Sequence, residues 1–161
     1  MSEKPEATAP QYKVVRAQGT WKGRYRTDLS VRDFSFVTAE PEKLGGTNEG
    51  PTPMEYVIGA LNGCLSVVIE MVAREMDFRL EGLEIRSEGL VDQRGLFGTA
   101  DVSPHFQSVD IHAAFVTDEP PERLEALQAA VLKRCPVYNL IKDSGAEVRL
   151  HWEIRSGVKQ G

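Results

Sequence analysis

At 161 residues and 41% hydrophobic content, the chain can build one substantial core and is too short for two ordinary domains. A net charge of -5 and a pI near 5.3, with basic residues scattered among acidic ones, lack the clustered positive charge of a nucleic-acid partner. The opening MSEKPEATAPQ is polar and Pro-rich, without the apolar region of a secretory signal, so a cytoplasmic location is expected.

Residues 1–10 read as a disordered tail. Three segments of strand length follow: QYKVVRAQG from Gln11, TWKGRYRTDL from Thr20 and VRDFSFVTAE from Val31. Their β-branched and aromatic residues, broken at Gly19 and around Asp28 to Ser30, predict an antiparallel meander with Trp21, Phe34 and Phe36 in its core. The loop from Pro41 to Pro53 is rich in Gly, Pro and Asn but contains neither GxGxxG nor GxxxxGK[ST], so its glycines are assigned to loop geometry rather than to phosphate binding.

From Thr52 to Phe78 the sequence predicts a long helix, with Thr52 as cap, Pro53 in the first helical position and Glu55 at the capping-box spacing. Between Val57 and Ile69 no polar stripe interrupts the apolar residues, which predicts cover on every side. That apolar run, broken by Gly59, Asn62 and Gly63, is shorter than the ~20 residues of a membrane span, so it is read as a core helix. Gly59 and Gly63 lower one face of it and predict the close approach of another element.

Leu80 to Asp92 alternates as a strand, and QRGLFGTADVSPHF is a turn-rich connection. SVDIHAAFVTD is a half-buried strand with Val109, Ile111, Ala113 and Phe115 inward. Pro120 and Pro121 open an amphipathic helix with Leu124, Leu127, Val131 and Leu132 at helical spacing, and Pro136 stops it at Cys135. PVYNLIKDSG forms one or two helical turns, AEVRLHWEIR a last strand with Val148, Leu150 and Trp152 inward, and the end frays. The order βββ-α-ββ-α-β indicates an α+β fold with mostly antiparallel strands, one domain over residues 11–157 and a frayed tail at 158–161. One sheet covers only one side of an all-apolar helix, so the second helix and a second copy of the chain are expected to cover the rest, which predicts a homodimer.

Chemistry rests on the two cysteines, which have no CxxC partner and, in a reducing compartment, no role as a permanent staple. Cys64 lies about three turns into its helix, beyond the reach of the N-terminal dipole, among Ala60, Leu61, Val67 and Val68. Such surroundings leave a thiol inert unless a cation approaches, and Lys22, Arg24, Arg26 and Arg32 of the meander are the candidates. Cys135, where a helix should end, is the better resolving partner for a sulfenic acid formed at Cys64. His105, His112 and His151 lack metal-ligand spacing, and Glu55 has either a capping role or the task of orienting a cation near Cys64.

GTNEGPTPMEYVIGALNGC, VSPHFQSVDIHAAF and LKRCPVYNLI, in that order, resemble the osmotically inducible protein C and organic hydroperoxide resistance superfamily (OsmC/Ohr) over roughly Lys13 to Ile154. The resemblance implies an OsmC-like fold: an intertwined homodimer with two central helices wrapped by antiparallel sheets and a site at the subunit interface. It further implies a thiol-dependent peroxidase that reduces organic hydroperoxides in oxidative-stress defence, with Cys64 attacking the peroxide and Cys135 resolving. The reductant is a dithiol such as a lipoylated protein, and neither cofactor, membrane nor nucleic acid is involved. An arginine matching Arg24 or Arg26 and a glutamate ten residues before the first cysteine hold the thiolate in the better-known branches; here Met54 stands at that place and Glu55 follows it. A pocket of Val57, Leu61, Phe34 or Phe36 would favour alkyl or fatty hydroperoxides. The alternative is a non-enzymatic stress-related protein that binds an apolar ligand in the interface pocket; an acyl-thioester hydrolase finds no paired acid and nucleophile.

Overall fold

The computed structural model describes residues 8–156, so most of the expected N-terminal tail and the frayed C-terminal tail lie outside the described residues. The chain divides into two compact units, Met1–Pro53 and Met54–Gly161.

The first unit is a three-stranded antiparallel meander of β1 (Gln18–Gly23), β2 (Arg26–Val31) and β3 (Phe34–Thr38). Strand β1 begins at Gln18, not Gln11, because the register already sets Gln18 against Ser30 and β2 ends one residue later. Among the described residues, residues 11–17 therefore pair with no strand, and Tyr12, Val14 and Val15 are exposed. Trp21 and Phe34, expected in the core, are 76% and 59% exposed, and Phe36 is only partly covered. A meander of such short strands has no second layer of its own to bury them.

The β1–β2 hairpin turns on Arg24 and Tyr25, both in the left-handed region (φ 48° and 62°). Asn and Gly usually fill such turns, and each non-glycine residue there costs roughly 1–3 kcal/mol. After β3, the chain makes a single turn of tight helix at Glu42–Leu44. The loop then folds back so that Asn48 N–H donates to Glu40 O at 2.9 Å and Ala39 N–H to Pro51 O at 3.1 Å. A Cβ at Gly46 would lie 2.0 Å from the Glu40 carbonyl oxygen, so backbone crossing, not ligand binding, accounts for that glycine.

The long helix α1 runs from Pro53 to Glu75 with Glu55 in its first turn. Its length and apolarity would suffice for a bilayer span, yet Leu61, Leu65, Val68, Ile69, Val72 and Ala73 are buried in a core with Val109, Ile111 and Phe115. Within the described chain the cover is one-sided: Val57, Val67 and Met71 are exposed, as are Gly59, Ala60 and Gly63. A Cβ at Gly59 or Gly63 would touch nothing within 4 Å, so the close approach those glycines predict does not occur within the described chain.

The second sheet has the order β4-β5-β6, with β4 (Gly82–Val91), β5 (Phe106–Val116) and β6 (Glu147–Arg155). A short helix α2 (Gln93–Phe97), absent from the sequence-based expectation, interrupts the β4–β5 connection; Asp92 caps it. Between β5 and β6 stand α3 (Pro121–Arg134) and α4 (Pro136–Asp143). This helical crossover makes β5 and β6 parallel, the exception to an otherwise antiparallel plan. The alternation in β6 holds, with Val148, Leu150, Trp152 and Ile154 turned inward. Leu124, Leu127 and Val131 of α3 complete the core.

Gly89 in β4 leaves room for a ring. A Cβ there would come within 2.4 Å of Phe106 and 3.1 Å of Ile58. Gly89→Ala is therefore expected to destabilise the protein by about 1–3 kcal/mol through overpacking, measured as a lower urea midpoint at unchanged slope.

Candidate active site

Cys64 is carried on α1, half-buried, with Leu61, Leu65 and Val68 turned into the core around it. Cys135 is fully buried at the break between α3 and α4. Pro136 forces this break: it cannot continue α3, and its fixed φ suits the first position of α4. Residues 71 apart in sequence thus bring their sulfurs to 3.4 Å, with the Cys135 thiol donating to Cys64 Sγ. Both cysteines are free thiols.

Burial is the main cause that pushes the Cys135 thiol up to about 11, and the adjacent Cys64 sulfur adds to it. The N–H groups of Tyr138 and Val137, at the start of α4, pull the other way. They favour the thiolate without forming a cap hydrogen bond. The sequence reading placed Cys135 only at the C-terminus of a helix; the structure places it also at the N-terminus of the next. Its neighbour Tyr138 is raised too, by burial first and then by the charge Cys135 would carry.

Two polar arrangements that the sequence reading missed support this pair. Asn139 Nδ2 donates to the carbonyls of Leu132 (2.9 Å) and Cys135 (2.8 Å), across the helix break. Arg134 pairs with Glu75 through both guanidinium nitrogens (2.6 and 3.0 Å) and reaches Met71 Sδ at 3.2 Å, tying the end of α3 to α1. An Asn one helical turn beyond Cys-Pro is a sequence signal for such a junction, because a broken helix leaves carbonyls without partners.

Met54, Glu55, Ile58, Gly89, Val91 and Phe106 line a cavity of about 340 Å³ at the start of α1. Met54 and Glu55 share this wall, so the one-position displacement of the carboxylate does not turn it away from the cavity that Met54 lines. Leu61 is fully buried in the core and Val57 is exposed; Ile58 and Phe106 supply the apolar wall of this cavity.

Arg24 and Arg26 lie in the other unit, on the β1–β2 hairpin. Arg26 is bound to Asp28 and Glu49, each at 2.9 Å, and it holds Glu49 below the usual carboxylate range. Arg24 donates to the Gly46 carbonyl at 3.3 Å, and Arg32 stacks over the Phe34 ring at 4.9 Å. The histidines occupy other places. His105 bonds the Phe106 carbonyl. His112 and His151 stack at 4.4 Å on the outer face of the second sheet, where His151 meets an Asp110 already paired with Arg149. Among the described residues no group of three or more His, Cys, Asp or Glu side chains is arranged to hold a metal.

The comparisons accord with this geometry. The model of the family described as OsmC-like protein matches residues 46–151. An OsmC-like protein from Mycoplasma pneumoniae superposes with a TM-score of 0.75 at 13% identity, over 92% of this chain and 100% of that one. An organic hydroperoxide resistance protein from Legionella pneumophila gives 0.66 at 22% identity, covering 90% and 98%. One from Elizabethkingia anophelis, with thiocyanate bound, gives 0.68 at 14%, covering 92% and 100%. No curated protein sequence matches.

The Cys64 sulfur contributes twice to the raised Cys135 titration, by hydrogen bond and by charge. Cys64→Ala removes both contributions and leaves burial. Alkylation of Cys135 followed against pH by mass spectrometry is expected to show a midpoint below 11, still above that of an exposed thiol.

Proposed function

We infer the chemistry from two facts: the chain belongs to the OsmC-like protein family, and its two cysteine sulfurs lie 3.4 Å apart. The function they support best is reduction of organic hydroperoxides by a thiol pair. Cys64 thiolate attacks the terminal peroxide oxygen, the O–O bond breaks, the alkoxide takes a proton to leave as alcohol, and Cys64 becomes a sulfenic acid. Cys135 attacks that sulfur; its proton leaves with the hydroxyl as water and a Cys64–Cys135 disulfide remains. A dithiol reductant then returns both thiols and is itself oxidised to a disulfide. Free thiols suit a reducing compartment such as the cytoplasm.

For the cation at Cys64 the choice falls on Arg24. Arg26 is already engaged by two carboxylates. Arg24 is held at a strained hairpin tip, and such strain concentrates at functional positions. Glu55, in the wall of the cavity beside Met54, is the carboxylate we assign to the role of the family glutamate. A homodimer completes the arrangement: the apolar flank of α1 at Ala60, Gly63, Val67 and Met71 suits a second copy of the same helix.

The test is consumption of cumene hydroperoxide driven by dithiothreitol or a lipoylated protein. Wild type should turn over, Cys64→Ser should be inactive, and Cys135→Ser, mixed with hydroperoxide before any reductant is added, should consume about one equivalent and leave a sulfenic acid that dimedone traps. Equal rates in wild type and Cys64→Ser would remove Cys64 from the reaction. Arg24→Ala is expected to slow the first step by ~10-fold or more, the effect of about one pKa unit of lost thiolate stabilisation, and Arg26→Ala by much less.

A further inference from the structure

The sulfur contact depends on how the α3–α4 break is held. α3 ends at Arg134, and α4 starts two residues later at Pro136, which has no N–H to offer. The Leu132 carbonyl, four residues before Pro136, therefore faces a gap where a continuing helix would have placed an N–H. Asn139 fills it. Its side-chain amide donates to the carbonyls of Leu132 and Cys135, at 2.9 and 2.8 Å. Its backbone N–H reaches the Cys135 carbonyl as well, at 3.1 Å. One residue thus grips the peptide that carries Cys135 from the α4 side and the end of α3 through Leu132, while Arg134 pins that end to Glu75 of α1.

We propose that Asn139 is a positioning residue for disulfide formation: its two amide hydrogen bonds lock the broken helix in the geometry that keeps Cys135 Sγ against Cys64 Sγ. The inference rests on the reading of Cys64 and Cys135 as a redox pair and adds to it a residue that touches neither sulfur through its side chain. Released from the amide, the Cys135 peptide gains freedom to rotate. A displacement of about 1 Å at a reacting atom can cost on the order of 100-fold in effective concentration.

The measurement is the equilibrium of the protein dithiol with glutathione disulfide, read by acid quench and mass spectrometry. Cys64 thiolate attacks a glutathione sulfur and releases one glutathione. Cys135 then gives up its proton, attacks the Cys64 sulfur of the mixed disulfide and releases the second, so two electrons pass from the protein to the oxidant. The equilibrium constant is the effective concentration of Cys135 at Cys64. Asn139→Ala is expected to lower it by roughly 10- to 100-fold. Asn139→Asp, which keeps the shape but cannot donate, should do the same. Asn139→Ser keeps a single donor and should fall between them and wild type.

Melting curves run alongside separate positioning from stability. A lowered melting temperature with a wild-type constant in Asn139→Ala and Asn139→Asp would overturn the proposal. If those two do not fold, a wild-type constant in Asn139→Ser overturns it instead. No hydroperoxide enters this measurement, so a wild-type protein inert toward hydroperoxides would remove the peroxidase reading and leave the effect of Asn139 standing.

Discussion

The structure depends on a broken helix. Had α3 run on through residue 135, its side chains would have followed one straight cylinder. Pro136 stops it, Asn139 satisfies the carbonyls exposed by the stop, and α4 starts in a new direction from the same residue. Cys135 stands at the corner, and from there its sulfur meets the side of α1 where Cys64 lies. The rest of the second unit serves this placement: the parallel β5–β6 ladder fixes where α3 and α4 must pass, and the core residues of α1 and α3 fix how deep the corner sits.

The same placement divides the work between the sulfurs. Cys135 is sealed from solvent, and its burial disfavours the thiolate more than the start of α4 favours it. A thiol in that state is a hydrogen-bond donor, and the acceptor in reach is Cys64 Sγ. The S–H of the buried thiol thus points at the half-buried sulfur, and the two cysteines are distinguished by geometry before any cation is considered.

Much of the second unit was legible in the sequence, because its signals are local. Alternation placed Val148, Leu150 and Trp152 inward, prolines marked the starts of α1 and α3, and Leu124, Leu127 and Val131 defined the buried face of α3. What stayed hidden depends on contacts between distant residues. The 3.4 Å meeting of two cysteines 71 residues apart has no local signature; the resemblance of the flanking motifs supplied the pairing. In the meander, Trp21 and Phe34 have the composition of core residues, but composition does not disclose that the layer they need is missing from their own unit. Likewise an all-apolar stretch of α1 predicts cover without saying which part of it the chain itself provides.

The two thiols differ first in access. A reagent must reach a sulfur before the chemistry of that sulfur matters, and Cys135 offers no surface. Cys64 does, because the flank of α1 next to it is built from Gly59, Ala60 and Gly63, residues too small to fence it in. Those glycines cost helix stability, on the order of 1 kcal/mol each relative to alanine, in a helix whose opposite face is packed tightly enough to bear the loss. In the described chain Cys64 is the sulfur within reach, and the buried Cys135 stands 3.4 Å behind it.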